Sequence, residues 1–473
     1  MSGVSGGTPT GSGGGPATTA SGTGGTGGQA GSTDGSKGDA APGGAGGGSN
    51  DAGRFDTPPP TNGSDDWSTF GHDPGRSFVS TDLLAPPLSK TLWTWSITGS
   101  HLLSLTNLVS AAGRVYLHGT GDGPHDHVDG ANNPNLHILN LQTGASAGTW
   151  STENDFPVGD WYAATGDRVI LNDDALTLIN VGTLTDRSAG NLNGICQAGD
   201  SDGEIAVDAE HNRFYAFNRA QYHNLADFGS GYCIPAGNVA AYDLATGKVL
   251  WSKNLINFPV TSEGHLAYAA GFVYYSVVYE DDGGRPRPDD GLYAFDAASG
   301  AQAWTYKPPA GTQFGALSTD GKSVYLTVVA DGSLKVQRLD AQSGAPGWTS
   351  DPLGSLTLFG RSYEADPPAY FGNAIFIYTG KSLIALDRSS GKQLWSVPDL
   401  TGSVARNANH LVVSGGSGII YLTDAKGVRA FKAADGSPAW SQDIATVGRL
   451  GSLVLARGQA LVFGRSGIVA LAP

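Results

Sequence analysis

One loop of the sequence collects side chains that could hold a cation. The stretch Gly121–Gly130 contains Asp122, Asp126 and Asp129 together with two histidines. Carboxylate oxygens are the ligands that calcium prefers, and zinc also takes imidazole nitrogens. The spacing matches neither the EF-hand loop nor a zinc-site pattern. A structural cation such as calcium is one expectation for this loop, and an exposed polar loop without a metal is the other.

The remaining polar residues give no clear catalytic pattern. The loop Glu280–Gly291 places two arginines between pairs of acidic residues, which indicates an exposed loop that neutralises its own charge. Carboxylates adjacent in sequence do not define the separation that general acid–base chemistry requires. The glycine-rich pattern that binds nucleotide phosphates is absent. His101, His265 and His410 lie near predicted strand or blade junctions, where we expect them to pack in the core or in turns.

A repeated segment organises most of the chain. Its clearest copy, Leu292–Trp304, reads apolar-x-Ala-apolar-Asp, two variable residues, Ser or Thr, Gly, three variable residues and Trp. The alternation before the Asp predicts a buried strand. The Asp-x-x-Ser-Gly part predicts a hairpin turn in which Asp accepts hydrogen bonds from the following backbone and Gly adopts a positive φ. A single unit cannot bury its own faces, so it must stack on a neighbour.

Counting each type of strand separately gives eight copies of all four types. The outer strand of the last unit is supplied by Leu88–Trp93 from the other end of the chain, whereas Leu184–Arg187 is a degenerate outer strand. We therefore predict an all-β fold, an eight-bladed β-propeller of four-stranded antiparallel blades, closed by pairing this N-terminal outer strand with three C-terminal strands. A linear β-solenoid is the alternative, but it would not split a unit between the two ends.

The Ala-x-Asp-x-x-Ser/Thr-Gly-x-x-x-Trp repeat resembles the tryptophan-docking motif of the pyrroloquinoline-quinone-like, or quinoprotein-like, β-propellers. That family includes quinoprotein alcohol dehydrogenases and the propeller lipoprotein of the outer-membrane β-barrel assembly machinery. The resemblance covers residues 67–473 and implies that the indoles dock structurally between adjacent blades. The tryptophans concerned are Trp93, Trp251, Trp304, Trp348, Trp395 and Trp440.

The same resemblance raises the question of a quinone cofactor. The dehydrogenases of this family usually carry two adjacent cysteines over the quinone and a metal ion held by acidic and amide residues. Here Cys196 and Cys233 are the only cysteines, and they stand 37 positions apart. We therefore expect no quinone cofactor. The resemblance is closer to the assembly-machinery lipoprotein than to the dehydrogenases.

The predicted topology places both cysteines on one face of the propeller. Loops between the second and third strands of a blade open on the same face as the connections between blades. Cys196 falls in a connection and Cys233 in a second-to-third-strand loop, so a disulfide is feasible and would indicate an oxidising compartment. Two free thiols are the alternative.

The longest loops predict where binding takes place. They all belong to that same face, and enlarged loops on a rigid ring are common carriers of binding. The loops are Gly119–Asn135, Asn218–Asn238, Glu280–Gly291 and the connection Asp351–Pro368.

Residues 1–66 differ from the rest in composition. Glycine accounts for 22 of these 66 residues and large apolar side chains are almost absent, so this part is predicted to be a disordered Gly/Ser/Thr-rich tether. The whole chain carries a net charge of −15, which disfavours nucleic-acid binding. It has no apolar run of the length that a transmembrane span needs. We expect a monomeric propeller at 67–473.

The tether bears on localisation. The start of the sequence, Met1-Ser-Gly, lacks the basic and apolar regions of a signal peptide. A long Gly/Ser/Thr tether nevertheless resembles the segment that follows the lipid-anchored cysteine of bacterial surface lipoproteins. Our hypothesis is that the protein is exported to the cell envelope by a signal that this sequence does not contain. A cytoplasmic protein with a disordered tail is the alternative.

These features together predict a non-catalytic binding or scaffold propeller of the bacterial cell envelope that contacts a protein partner through one loop face. The alternative class is an enzyme that uses the central funnel, either a degenerate quinoprotein oxidoreductase or a carbohydrate-active enzyme. A third expectation is cation-stabilised adhesion through the loop Asp122–Asp129. Converging ionisable side chains in the funnel would favour the enzyme, whereas an apolar or plugged funnel would favour the scaffold.

Overall fold

Strands account for all of the regular secondary structure that the computed structural model describes. The described residues are 66–69, 71–97, 102–103, 108–120, 136–150, 161–172, 176–183, 185–188, 204–218, 238–255, 262–279, 291–355, 367–400 and 410–473. Within these ranges no helix has the length and apolar character that a membrane span requires.

The 35 strands are numbered in chain order. They are β1 (Val79–Ser80), β2 (Lys90–Ser96), β3 (Leu102–Leu103), β4 (Val109–Ala111), β5 (Arg114–Thr120), β6 (Leu136–Asn140), β7 (Ser146–Trp150), β8 (Trp161–Thr165), β9 (Arg168–Asn172), β10 (Leu176–Asn180), β11 (Thr185–Ser188), β12 (Ile205–Asp208), β13 (Arg213–Asn218), β14 (Asn238–Asp243), β15 (Val249–Asn254), β16 (Ser262–Ala269), β17 (Phe272–Tyr279), β18 (Gly291–Asp296), β19 (Gln302–Tyr306), β20 (Thr312–Thr319), β21 (Ser323–Ala330), β22 (Ser333–Asp340), β23 (Pro346–Thr349), β24 (Gly354–Ser355), β25 (Ala369–Phe371), β26 (Ala374–Tyr378), β27 (Leu383–Asp387), β28 (Gln393–Val397), β29 (Leu411–Ser414), β30 (Ile419–Thr423), β31 (Gly427–Lys432), β32 (Pro438–Asp443), β33 (Leu450–Ala456), β34 (Gln459–Gly464) and β35 (Gly467–Ala472).

These strands form eight sheets, which are the blades of an eight-bladed β-propeller. The pairing within each blade is antiparallel, and β1 is added parallel to β29, the innermost strand of blade 7. From the innermost strand outward, blade 1 is β3 and β4 followed by β5, β6 and β7; blade 2 is β8 to β11; blade 3 is β12 to β15; blade 4 is β16 to β19; blade 5 is β20 to β23, with β24 added on β22; blade 6 is β25 to β28; blade 7 is β29 to β32; and blade 8 is β33, β34, β35 and β2. The fold predicted from the sequence is thereby confirmed.

The ring closes between the two ends of the propeller sequence. The strand β2 pairs antiparallel with β35, in a register that runs from Lys90 opposite Ala472 to Ser96 opposite Gly467. The predicted split blade is therefore confirmed. All of the described residues fall within one compact unit, Phe55–Pro473. Closing the ring in this way leaves no unpaired blade to template aggregation.

Each blade presents different connections to the two faces of the ring. We call the face with the first-to-second-strand and third-to-fourth-strand turns the turn face. We call the opposite face, which carries the second-to-third-strand loops and the connections between blades, the loop face. The innermost strands β4, β8, β12, β16 and β20 are neighbours in that order, as are β25, β29 and β33. They line the central channel.

The repeated Asp-x-x-Ser/Thr-Gly segments form the predicted turns. In blade 4 the amide and the hydroxyl of Ser299 donate to Asp296 Oδ1 at 2.8 and 2.6 Å. Gly300 has a φ of 68°, a value that favours glycine. The hydrogen bond from the Ser299 hydroxyl is the main reason why the pKa of the Asp296 carboxyl is lowered. The acid thus stays ionised and keeps accepting these hydrogen bonds.

Five indoles each join their own blade to the next one in the ring. In every case the indole Nε1 donates to a backbone carbonyl in the neighbouring blade, at 3.0–3.2 Å. The accepting residue directly follows the position that Asp occupies in the repeated turn. The pairs are Trp93 with Leu141, Trp251 with Ala297, Trp304 with Ala341, Trp348 with Arg388 and Trp395 with Ala433. Trp440 packs partly buried against the largest apolar cluster instead. Its neighbour is blade 8, where β35 and β2 come from opposite ends of the sequence and no repeat turn connects them.

Blade 2 joins blade 3 through an arginine. Its outer strand β11 has no tryptophan, and Arg168 at the start of β9 takes over the contact. Its Nη1 donates to the carbonyls of Leu244 and Ala245 at 3.0 and 2.7 Å. Leu244 occupies the turn position that accepts an indole in the other blades. The degenerate unit is therefore a blade with a different docking residue.

Replacing Arg168 with alanine is expected to lower the free energy of unfolding by about 1–3 kcal/mol, because hydrogen bonds from a charged donor are lost. The measurement is urea denaturation of the full chain. The matched control is Arg213→Ala in blade 3. Arg213 donates to the Ala297 carbonyl at 3.1 Å, but Trp251 also docks there, so its loss should be smaller. Equal losses would contradict the special role of Arg168.

Candidate functional site

A segment ahead of the first blade runs through the central channel. We call Asp66–Asp82, of which position 70 is not described, the clasp. Seven of its backbone carbonyls accept hydrogen bonds from amides of the inner strands, at 2.7–3.2 Å. The acceptors are Trp67, Ser68, Pro74, Gly75, Ser77, Phe78 and Ser80, and the donors in the same order are Ser110, Ala164, Tyr268, Thr319, Tyr370, Val413 and Gly415.

The clasp lies at the turn-face end of the channel. Thr319 is the last residue of β20, and Gly415 follows β29 directly. Both of these strands end at a turn-face hairpin. Free inner edges present unpaired N–H groups, which are costly when they are buried without an acceptor. The clasp supplies those acceptors for seven of the amides.

Every blade contacts the clasp. The seven backbone bonds reach blades 1, 2, 4, 5, 6 and 7. Blade 3 is reached through an ion pair between Arg76 and Glu204. Blade 8 is reached at both ends of the clasp, because the Gly458 amide donates to Asp82 Oδ2 at 3.0 Å and Arg457 Nη2 lies 3.2 Å from Asp66 Oδ1. The clasp therefore connects the whole ring from the inside.

The backbone of the clasp is held in an unfavourable conformation. His72, Arg76 and Phe78 have φ values of 81°, 60° and 57°, in the region that suits glycine. Each such residue costs of order 1–3 kcal/mol and persists only where its surroundings hold it. At Gly75 a Cβ atom would collide with the carbonyl oxygen of Thr319. The close approach to blade 5 therefore requires glycine at this position.

A buried ion cluster joins the clasp to the inner strands that line the channel. Arg76 and Glu204 are 1% and 0% exposed, and their side chains form a direct ion pair. His265 Nδ1 lies 2.7 Å from Glu204 Oε1. The Leu266 amide donates to Glu204 Oε2. The Glu204 carboxylate thus joins the clasp to blade 3, to which Glu204 belongs, and to blade 4, whose strand β16 carries His265 and Leu266.

The electrostatics of the cluster keep Glu204 ionised. Burial alone would raise the pKa of this carboxyl, because it disfavours the charged form. The positive charge of Arg76, followed by the charge and hydrogen bond of His265, outweighs burial and holds the pKa of Glu204 below its ordinary 4.5. A buried arginine with an ionised partner is stable, whereas a buried arginine without one is strongly destabilising.

Further hydrogen bonds lie within the clasp and between the neighbouring blades 5 and 6. The Ser77 amide donates to Asp73 Oδ1 at 3.2 Å. The Tyr370 hydroxyl donates to the Thr319 carbonyl at 2.8 Å. Burial raises the pKa of Tyr370 well above its ordinary value, and the nearby Asp73 carboxylate adds to this effect. Tyr370 therefore stays a neutral hydrogen-bond donor.

The described channel residues do not fit a quinone held over a metal ion. Both oxygens of Glu204 already contact Arg76, His265 or the Leu266 amide. In the described ranges there is no group of three or more His, Cys, Asp or Glu side chains that could hold a metal. The arrangement places the Glu204 carboxylate against a buried positive charge.

Several residues singled out in the sequence lie outside the described residues. They are the cation candidates Asp122, Asp126 and Asp129, and both cysteines, Cys196 and Cys233. Most of each long loop of the predicted binding face also lies outside them. His265 was expected only to pack, but it joins the ion cluster. The sequence analysis did not predict the clasp. The one feature of the sequence that could have indicated a buried charge there is Arg76, which lies between Pro74-Gly75 and the apolar pair Phe78-Val79.

A protein-family model matches the second half of the chain. The family is described as outer membrane protein assembly factor BamB, and the matched residues are 235–362 and 332–473. Together the two segments cover half of the sequence. No curated protein matches the chain.

Solved structures with the same fold include a designed protein, an enzyme and an assembly factor. The computationally designed protein Ika8 has a TM-score of 0.58 and 14% identity, covering 81% of this chain and 100% of that one. Quinohemoprotein alcohol dehydrogenase from Comamonas testosteroni has a TM-score of 0.58 and 13% identity, covering 86% and 80%. BamB from Moraxella catarrhalis has a TM-score of 0.52 and 15% identity, covering 81% and 98%. At these identities the likeness concerns the fold.

Proposed function

Because the chain belongs to the family described as outer membrane protein assembly factor BamB, we propose that it is a non-catalytic, protein-binding propeller of the bacterial cell envelope. The observation that carries this proposal is the clasp. It fills the turn-face end of the channel and contacts all eight blades. The ionisable groups at its centre neutralise one another. A channel occupied in this way supports a rigid scaffold better than a catalytic funnel.

The loop face is the proposed binding surface. Asp66, to which residues 1–65 are joined, is held at the turn face by the Ala112 amide at 2.9 Å and by Arg457. The proposed binding surface is the opposite face of the ring from these Asp66 contacts. A protein partner, or an extended peptide that adds to a strand edge, is the class of ligand that fits such a surface.

The remaining sequence-based expectations belong to the same proposal. We propose that the predicted tether, residues 1–66, is flexible up to Asp66, which is held at the turn face. We also propose that Cys196 and Cys233 form a disulfide after export and that no quinone takes part. A calcium ion in the Asp122–Asp129 loop would stabilise the binding face. The alternative is an enzyme that works at the loop-face end of the channel, a possibility that the fold shared with quinohemoprotein dehydrogenases supports.

Site-specific photo-crosslinking in the native cells tests the binding surface. Probes at three exposed loop-face positions, Lys307, Asp331 and Lys381, are compared with three exposed turn-face positions, Gln142, Ser343 and Asp435. We expect one discrete protein partner to be captured from the loop-face positions and none from the turn face. Capture from the turn face alone, or from neither face, would contradict the proposal. An absorption spectrum of the purified protein that shows a bound quinone would favour the enzyme instead.

A further inference from the structure

We propose that the clasp is an acid-releasable strap, locked by Glu204, that opens while the blades stay folded. The blades are held together by contacts that do not involve the clasp, namely their own strand ladders and the docking tryptophans. The clasp is held to six blades by single or paired backbone bonds, by side-chain hydrogen bonds at Ser110 and Ser414, and by the buried side chains of Trp67 and Phe78. Folded proteins open locally in units that are less stable than the whole fold.

The lock is the buried charge pair. Arg76 from the clasp and His265 from β16 are the charged groups that face Glu204 among the described residues. When Glu204 is protonated, the ion pair with Arg76 loses its negative charge while the guanidinium remains buried. Swinging the clasp out of the channel returns the guanidinium to water. The same movement releases the positive φ values of His72, Arg76 and Phe78.

The direction of the pH dependence follows from Glu204. Because its pKa is lowered in the folded protein, the ionised carboxylate stabilises the closed clasp above the ordinary value of 4.5. That stabilisation is lost as the pH falls below this value. The clasp is therefore closed at neutral pH and opens in acid. Opening exposes the inner-edge amides of the blades, which are then free to pair with an extended peptide.

Hydrogen exchange of the full chain followed by mass spectrometry tests the strap. Glu204→Gln keeps the size of the side chain but not its charge, so it mimics the protonated form at neutral pH. We expect the amides of Ala164, Tyr268 and Thr319 to exchange at least tenfold faster in this variant. The central strands β17 and β21 should keep the wild-type rate. Wild type moved from pH 7 to pH 4 should show the same pattern with a smaller amplitude, about fourfold at most after correction for intrinsic exchange, because the lowered pKa keeps Glu204 partly ionised at that pH.

The matched control is Asp424→Asn. Asp424 is also a buried carboxylate that pairs with an arginine, since Arg429 Nε lies 2.9 Å from Asp424 Oδ2, but it belongs to a loop-face turn of blade 7. This variant should leave the inner-edge amides protected. Unchanged exchange in Glu204→Gln would overturn the proposal. Equal acceleration in all strands would overturn it too, because the lock would then hold the whole fold and not the clasp.

Discussion

Replacing Glu204 with alanine is expected to lower the free energy of unfolding by about 3–5 kcal/mol, because breaking a buried pair leaves an uncompensated charge. Arg76 is 1% exposed, so the guanidinium has no water to replace the carboxylate while the clasp is closed. Opening of the clasp relieves part of this cost, which places the expected loss toward the lower end. Urea denaturation monitored by tryptophan fluorescence gives the value.

The control for this prediction removes both charges. In the double variant Arg76→Met with Glu204→Leu no buried charge is left, and such replacements are often neutral or stabilising. We expect it to recover more than half of the stability lost in Glu204→Ala. Full recovery is not expected, because the Leu266 amide loses its acceptor as well. The losses of unfolding free energy in the single variants Arg76→Met and Glu204→Leu are also measured. If the double variant loses as much as the two single variants added together, the ion pair is not the source of the effect.

The second large effect is expected at the blade junctions. Trp304→Ala should cost about 3–5 kcal/mol, the range for removing a large buried aromatic side chain. The indole is 9% exposed, packs against the turn that contains Gly344 and donates to the Ala341 carbonyl at 3.0 Å. Both the packing and the hydrogen bond between blades 4 and 5 would be lost. Thermal denaturation is a suitable measurement.

Trp440→Ala is the matched control for the blade junction. Trp440 has the same place in the repeat, but it is only partly buried and faces blade 8, where no repeat turn is present. We expect its loss to cost less than half as much as that of Trp304. If both variants lose the same stability, docking on the turn of the next blade contributes little, and general burial accounts for the effect.

The blades could be predicted from the sequence because their information is local and repeated. In Leu292–Trp304 the strand, the turn and the docking indole occur within one short stretch, and each follows from a separate rule. The split blade followed from the same pattern, since Leu88–Trp93 ends in the expected tryptophan. The family resemblance inferred from this repeat is confirmed by the match over residues 235–473.

The clasp could not be predicted in the same way, for two physical reasons. Its contacts are made mostly by backbone carbonyls, which every residue possesses and which leave no side-chain pattern. Its buried ion pair joins Arg76 to Glu204, two residues far apart in the sequence. Neither residue belongs to the repeated motif. Arg168 was missed for a related reason, because the repeat predicts a tryptophan for that contact.

The protection of the inner-edge amides in the wild-type protein is the most direct test of the structural claim on which this account depends. Hydrogen exchange at neutral pH should be measured for Ala164, Thr319 and Val413, whose amides donate to the clasp. We predict that they exchange as slowly as amides in the central strand of the same blade. If they exchange as fast as the free edge of an outer strand, the clasp does not occupy the channel, and the account is contradicted.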